Sequence, residues 1–134
     1  MISDDRRAAR ERALGLLYEA EAKGMTPLEV LAAQVIEPEP IALQIVAGIG
    51  EHQIAIDALI ESRLTSGWKF ERLASIDRAV LRIGVYELQQ RPDVPTKVVL
   101  NEAIELAKIF STEDSGKFVN GVLAAVAKSV RPDG

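Results

Sequence analysis

Residues 76–90 read IDRAVLRIGVYELQQ. Ile76, Val80, Leu81, Ile83, Val85 and Leu88 cover more than one face of a helix. A helix that is apolar on several sides must be enclosed by other elements. The segment therefore predicts a central, mostly buried helix, with Arg78, Arg82 and Gln89 as its solvent stripe. Pro92 and Pro95 end this helix and start the next, at 95–110. There Val99, Ala103, Leu106 and Phe110 form a core stripe. A last helix is predicted over 114–130, where Val119, Val122, Leu123, Val126 and Val130 recur at helical spacing.

Toward the N-terminus the same signals continue. A short helical turn is expected at 70–74. A helix over 40–64 carries Val46, Ile49, Ile56, Leu59 and Ile60, with Gly48 and Gly50 marking a bend or a close crossing and Gly67 closing it. The run TPLE at 26–29 pairs a capping Thr26 with Pro27 at the first helical position and Glu29 three residues on. The first helix is expected from Asp4 to Lys23, with Ser3 as N-cap and Gly24 in the left-handed position after it. Its apolar stripe is Ala9, Ala13, Leu16, Leu17 and Ala20. Strand signals are weak and no internal repeat is present. The expectation is an all-α fold: one domain over 1–134, about seven helices packed around two central ones.

The chain has 134 residues, 48% hydrophobic and 27% charged, as in soluble globular domains. No apolar run is read as reaching the roughly 20 residues that span a bilayer, and MISDDRRAARER lacks a secretory apolar segment. Without cysteine there is no disulfide, zinc-thiolate or thiol chemistry. A cytoplasmic location follows as an expectation. Catalysis finds little support. His52 is the sole histidine and sits in an acidic section. No metal-ligand cluster, phosphate-cradling glycine loop or nucleophile motif occurs. Asp77 and Glu87 lie about 15 Å apart along one helix, too far to act on one bond. No enzymatic activity, cofactor or metal is expected.

The net charge of −4 argues against nucleic acid, but the charge is unevenly spread. No Lys or Arg lies between Lys23 and Arg63, whereas Arg6, Arg7, Arg10 and Arg12 fall within seven residues. On the first helix Arg7, Glu11, Leu14 and Tyr18 share one narrow band, flanked by Arg6 and Arg10. Guanidinium groups bind phosphates, and an exposed ring stacks on an unpaired base. The plainer reading is a solvated helix with intrahelical ion pairs and a half-buried Tyr18. In DSGKFVNGVL, residues 114–123, Asp114, Lys117, Phe118 and Gly121 share a second face outside the core stripe. Gly121 removes a side chain from that face, so that a ligand or another backbone can come close. Again a plainer reading exists: Phe118 packs on a neighbouring helix.

The segments RRAARERALGLLYEAE (6–21), IDRAVLRIGVYEL (76–88), VPTKVVLNEAIELAKIF (94–110) and EDSGKFVNGVL (113–123) resemble the NusB family of bacterial transcription antitermination factors. Residues 24–70 match only in helical pattern. The resemblance implies the NusB-like helical fold, no catalysis, and binding to the boxA element of ribosomal RNA leader transcripts. It also implies a heterodimer with NusE, a small-subunit ribosomal protein, in an assembly with NusA, NusG and RNA polymerase. The family's RNA-binding positions match Arg6, Arg7, Arg10, Tyr18, Asp114, Lys117 and Phe118. Acidic positions in its interaction region match Glu71 and Asp77, facing either RNA or the protein partner.

Asp4 and Asp5 precede the arginines and, with the acidic net charge, imply weak RNA binding without NusE. The family fold also occurs fused to ribosomal RNA cytosine methyltransferases; a free-standing domain is expected here. Two other classes compete. One is a protein-interaction module whose homodimer buries Tyr18 and the arginines. The other is an RNA-modifying subunit, for which no cofactor motif speaks.

Overall fold

The computed structural model describes residues 2–65 and 67–134, the first four of them by backbone only. Six α-helices are present among them: α1 (Ile2–Ala22), α2 (Pro27–Ala32), α3 (Pro40–Glu61), α4 (Ser75–Gln90), α5 (Thr96–Phe110) and α6 (Glu113–Val130). A single 3₁₀ turn, Phe70–Arg72, stands where the seventh helix was expected. No strand occurs among the described residues.

The enclosure predicted for 76–90 is observed. α4 packs against α1, α3, α5 and α6, and it buries Ala79, Val80, Leu81 and every residue from Ile83 to Leu88. Its expected solvent stripe is different. Only Gln89 is exposed. Arg78 and Arg82 are largely covered, because each guanidinium satisfies groups that the packing would otherwise strand. Arg78 donates to the carbonyls of Phe70, Glu71 and Leu73, closing the turn that precedes α4. Arg82 grips Asp57 of α3 with two bonds of 2.8 and 3.0 Å and lies over the Phe70 ring.

Local chemistry sets the ends of the helices. Gly24 has φ 67° after α1. Thr26 and Glu29 exchange both bonds of the capping box, at 3.1 and 2.8 Å. α1 begins at Ile2, so Ser3 lies inside its first turn; the side chains of Ser3, Asp4 and Asp5 fall outside the described residues. Thr112 caps α6 by accepting from the Ser115 amide at 3.0 Å.

α3 ends at Glu61, short of 64, and its break in helical geometry lies at His52 (φ −117°) rather than at a glycine. Gly48 and Gly50 instead serve close crossings. A Cβ on Gly48 would overlap the Tyr86 ring of α4, and one on Gly50 would sit 2.9 Å from Leu28 Cγ of α2. α3 is also long and apolar enough, by length and composition alone, to cross a membrane, a test that a buried core helix passes too. Here it packs Ala42, Ile45, Val46, Ile49, Ile56 and Ile60 into the shared core.

A two-residue connection folds α5 and α6 into a helical hairpin. Phe110, expected in the α5 core stripe, is instead 45% exposed at the helix end. Arg131 fastens the hairpin to α4: its guanidinium donates to the carbonyls of Glu87, Leu88, Arg91 and Val94 and to Thr96 Oγ1. These acceptors include the Leu88 carbonyl, one of those left without a helical partner at the end of α4.

The two glycines of DSGKFVNGVL play different parts. A Cβ on Gly116 would lie 2.8 Å from Lys108 Cγ of α5, whereas one on Gly121 would meet nothing within 4 Å. Gly48→Ala is expected to destabilise the protein by about 1–3 kcal/mol through overpacking. Gly121→Ala should stabilise it by up to ~1 kcal/mol through helix propensity. Urea denaturation of both variants checks the contrast.

Candidate nucleic-acid interface

The arginines of α1 do not form one open cluster. Arg10 is 4% exposed and Glu87 of α4 is 3% exposed. Arg10 Nε and Nη2 donate to the two Glu87 carboxylate oxygens at 2.8 and 2.9 Å, and Nη1 lies 3.5 Å from Glu102. The sequence placed Arg10 beside a phosphate-binding band; the structure turns it inward, where its charge is matched by a buried carboxylate. Leu14, from the same band, is buried as well. The band therefore follows the rim of the core.

Arg6 and Arg7 stay closer to solvent. Arg7 donates to both oxygens of Glu102 on α5, at 3.0 and 2.7 Å. Arg6 donates to Asp93 at 3.0 Å, which also accepts from Arg91. The Arg7 hydrogen bond, opposed by burial and aided by the charges of Arg7 and Arg10, holds the Glu102 carboxyl below its ordinary value of 4.5. Bonds from Arg91 first and Arg6 second hold Asp93 far below 3.8. The basic end of the molecule thus interleaves four arginines with Glu87, Asp93 and Glu102.

A second group lies at the other end of α1, Arg7 and Tyr18 being about 16 Å apart by helical rise. Arg10 pairs with Glu87 and Glu21 with Arg78, so α1 and α4 run antiparallel. This brings Tyr18, 48% exposed, to the start of α4. Asp77 in the first turn of α4 accepts from Ser115 Oγ at 3.1 Å, joining the start of α4 to that of α6. Its other oxygen, Oδ1, is buried with no hydrogen-bond partner among the described residues. Glu71, Asp114 and Lys117 are exposed around this junction. Phe118 is half-buried: it packs against the hydrophobic core, as the plainer reading expected, and also meets Trp68, with ring centroids 5.1 Å apart and planes 37° from each other.

So the structure joins Asp77 to Ser115 in the first turn of α6, next to Asp114, sets Phe118 against Trp68, and leaves Tyr18 exposed in the last turns of α1. It leaves Arg6 and Arg7 at the opposite end of α1 and removes Arg10 from the surface. Trp68 was missed by sequence reasoning because it lies in a connection without periodicity. Among the described residues, no group of three or more His, Asp or Glu side chains is placed to hold a metal ion.

Comparison with known proteins gives this geometry a family. The NusB family model matches residues 7–128. The chain belongs to the NusB family. It is 42% identical over 127 residues to the transcription antitermination protein NusB of Kineococcus radiotolerans, covering 92% of this chain and 93% of that one. It is 44% identical over 134 residues to the NusB of Ruminiclostridium cellulolyticum, covering 95% and 91%. Among solved structures, NusB of T. maritima superposes with a TM-score of 0.81 at 36% identity, over 92% of this chain and 90% of that one. A crystal structure of antitermination factors NusB and NusE in complex with dsRNA matches with a TM-score of 0.76 at 32% identity, covering 92% and 96%.

In this NusB-family chain the buried pair is open to test. Arg10→Ala should destabilise by about 3–5 kcal/mol, because Glu87 is left charged and unpaired. Arg10→Met combined with Glu87→Leu should recover most of that loss, read by urea denaturation.

The depressed carboxyls set a pH dependence. A group whose folded pKa lies below its unfolded one stabilises fully above the unfolded value, and the gain is lost as pH falls through the folded value. Stability should therefore decline as pH falls below about 5 and go on declining below the ordinary carboxylate range. Glu102→Gln should flatten part of that decline in denaturation midpoints measured across the range.

Proposed function

We propose that this chain is a non-catalytic, cytoplasmic antitermination factor that binds boxA-type RNA of ribosomal RNA leader transcripts together with NusE. NusA, NusG and RNA polymerase complete the assembly. The observation that carries this reading is the exposure of the Tyr18 ring on α1 and of Lys117 on α6, next in sequence to the half-buried Phe118, on a NusB-family fold. Family membership and the likeness to a solved NusB–NusE–RNA complex support it.

Tyr18 and Phe118 contact bases, and Lys117 takes phosphate. Arg6 and Arg7 contribute phosphate contacts from the far end of α1. Arg10 acts from inside, holding α1 in place. Because Glu102 and Asp93 already occupy Arg7 and Arg6, RNA must share or displace these partners, which weakens binding by the chain alone. NusE supplies the missing affinity by extending the surface, with Glu71 and Asp77 facing it. The absence of any close neighbour at Gly121 leaves room for a backbone to approach α6.

The test is a titration of boxA-type RNA at several salt concentrations, with and without NusE. Affinity should fall steeply with salt, and Arg7→Gln should reduce the log–log slope by about 1 if it removes one phosphate contact. Phe118→Ala should weaken binding roughly 5- to 150-fold, the range for one base stacked on an aromatic ring. Wild-type affinity in both variants would sink this placement of the site. A tight homodimer in sedimentation that persists with RNA and NusE would replace it with the interaction-module reading.

A further inference from the structure

Trp68 is the chain's single tryptophan, and 54% of it is exposed. Such a ring in a connecting segment is ordinarily free to rotate, but here it is held from two sides. Its amide donates to the Thr65 carbonyl at 3.1 Å, closing a turn that needs the left-handed backbone of Gly67, φ 94°. Its ring rests against Phe118 at 5.1 Å. One part of the indole is thus anchored and the rest faces solvent. A preorganised ring loses little side-chain freedom when a ligand stacks on it.

The surrounding charges point to the class of ligand. Lys69 follows Trp68 and Lys117 precedes Phe118, both exposed. Neither makes an ion pair among the described residues, unlike Arg6, Arg7, Arg10, Arg78, Arg82 and Arg91. Unpaired ammonium groups on the residues next in sequence to the two stacked rings suit a planar group on a polyanionic backbone. The exposed Asp114, one turn before Phe118, can accept from the exocyclic amino group of a base.

We propose that Trp68, braced by Phe118, is a stacking platform for one unpaired base of a single-stranded RNA. Lys69 and Lys117 take the adjoining phosphates. The inference rests on the RNA-binding reading above and adds a residue and a loop to it.

The single tryptophan makes the test direct. Wild-type protein is titrated with an unlabelled boxA-type single-stranded RNA while tryptophan emission is followed. The same RNA, labelled at its 3′ end, reports total binding by anisotropy. Stacking should quench the emission along the binding curve. Trp68→Ala should weaken binding roughly 5- to 150-fold, with Trp68→Phe retaining most of the affinity. In RNAs carrying one abasic position in turn, one position should weaken wild type but not Trp68→Ala, the signature of a direct pair in a double-mutant cycle.

RNA that binds by anisotropy with unchanged emission and with wild-type affinity for Trp68→Ala overturns this inference and leaves the RNA reading standing. No binding with or without NusE overturns both. Quenching by NusE in the absence of RNA assigns the ring to the protein interface instead. The emission experiment uses the wild-type chain, so it stands even if a Trp68 variant folds poorly.

Discussion

The placement of the candidate interface depends on one buried ion pair. Arg10 and Glu87 lie on helices far apart in sequence and are almost wholly excluded from water. An isolated charge in that environment is prohibitive, so each makes the other necessary, and two parallel bonds leave little freedom in how the helices meet. The pair fixes the register of α1 on α4. Register decides that Tyr18 arrives at the start of α4 and that Arg6 and Arg7 arrive beside Asp93 and Glu102. Glu87 also sits where its own carbonyl accepts from Arg131. One turn of α4 thereby ties together the first helix and the residue after the last.

Arginine serves this chain largely as mortar. Arg78 closes the turn before α4, Arg82 joins α4 to α3, and Arg131 caps α4 while holding the start of α5. A planar group with five donors can satisfy several carbonyls or a carboxylate at once, which a lysine ammonium cannot match in geometry. The basic residues left for a ligand are accordingly fewer than composition suggests, and lysines figure among them. This explains how a chain with many cations and an acidic net charge can present only a small basic surface.

What was legible in the sequence follows the range of the interaction concerned. The Thr26 capping box, Gly24 after α1, and the stripes of α4 and α6 are set by residues within a few positions of each other, and they were readable. The Arg10–Glu87 pair spans 77 positions, so helical period could place Arg10 at the band edge but not say which way it turned. Phe110 fits its stripe by angle, yet it lies in the last turn of α5, where the core has ended. In the sequence Gly48 and Gly50 mark either a bend in α3 or a close crossing, because glycine permits both. The break occurs at His52, while Gly48 and Gly50 admit Tyr86 and Leu28. Trp68 belongs to a connection, where no period exists to read.

The same distinction bears on the two glycines of α6. Gly116 is required from within, since α5 comes close enough to exclude a Cβ. Gly121 answers to nothing in the chain: it is helical, exposed and unopposed. Alanine there would be the better helix former, so the folded chain alone offers no reason for glycine. The neighbours of Gly121 on its helix face are Lys117 and Phe118, and Phe118 carries Trp68. A surface that keeps rings exposed, lysines unpaired and a backbone uncovered has given up stability at each point. Gly15 of α1, likewise helical, exposed and unopposed, lies one turn before the exposed Tyr18, so both helices carry a glycine beside an aromatic residue of the candidate interface.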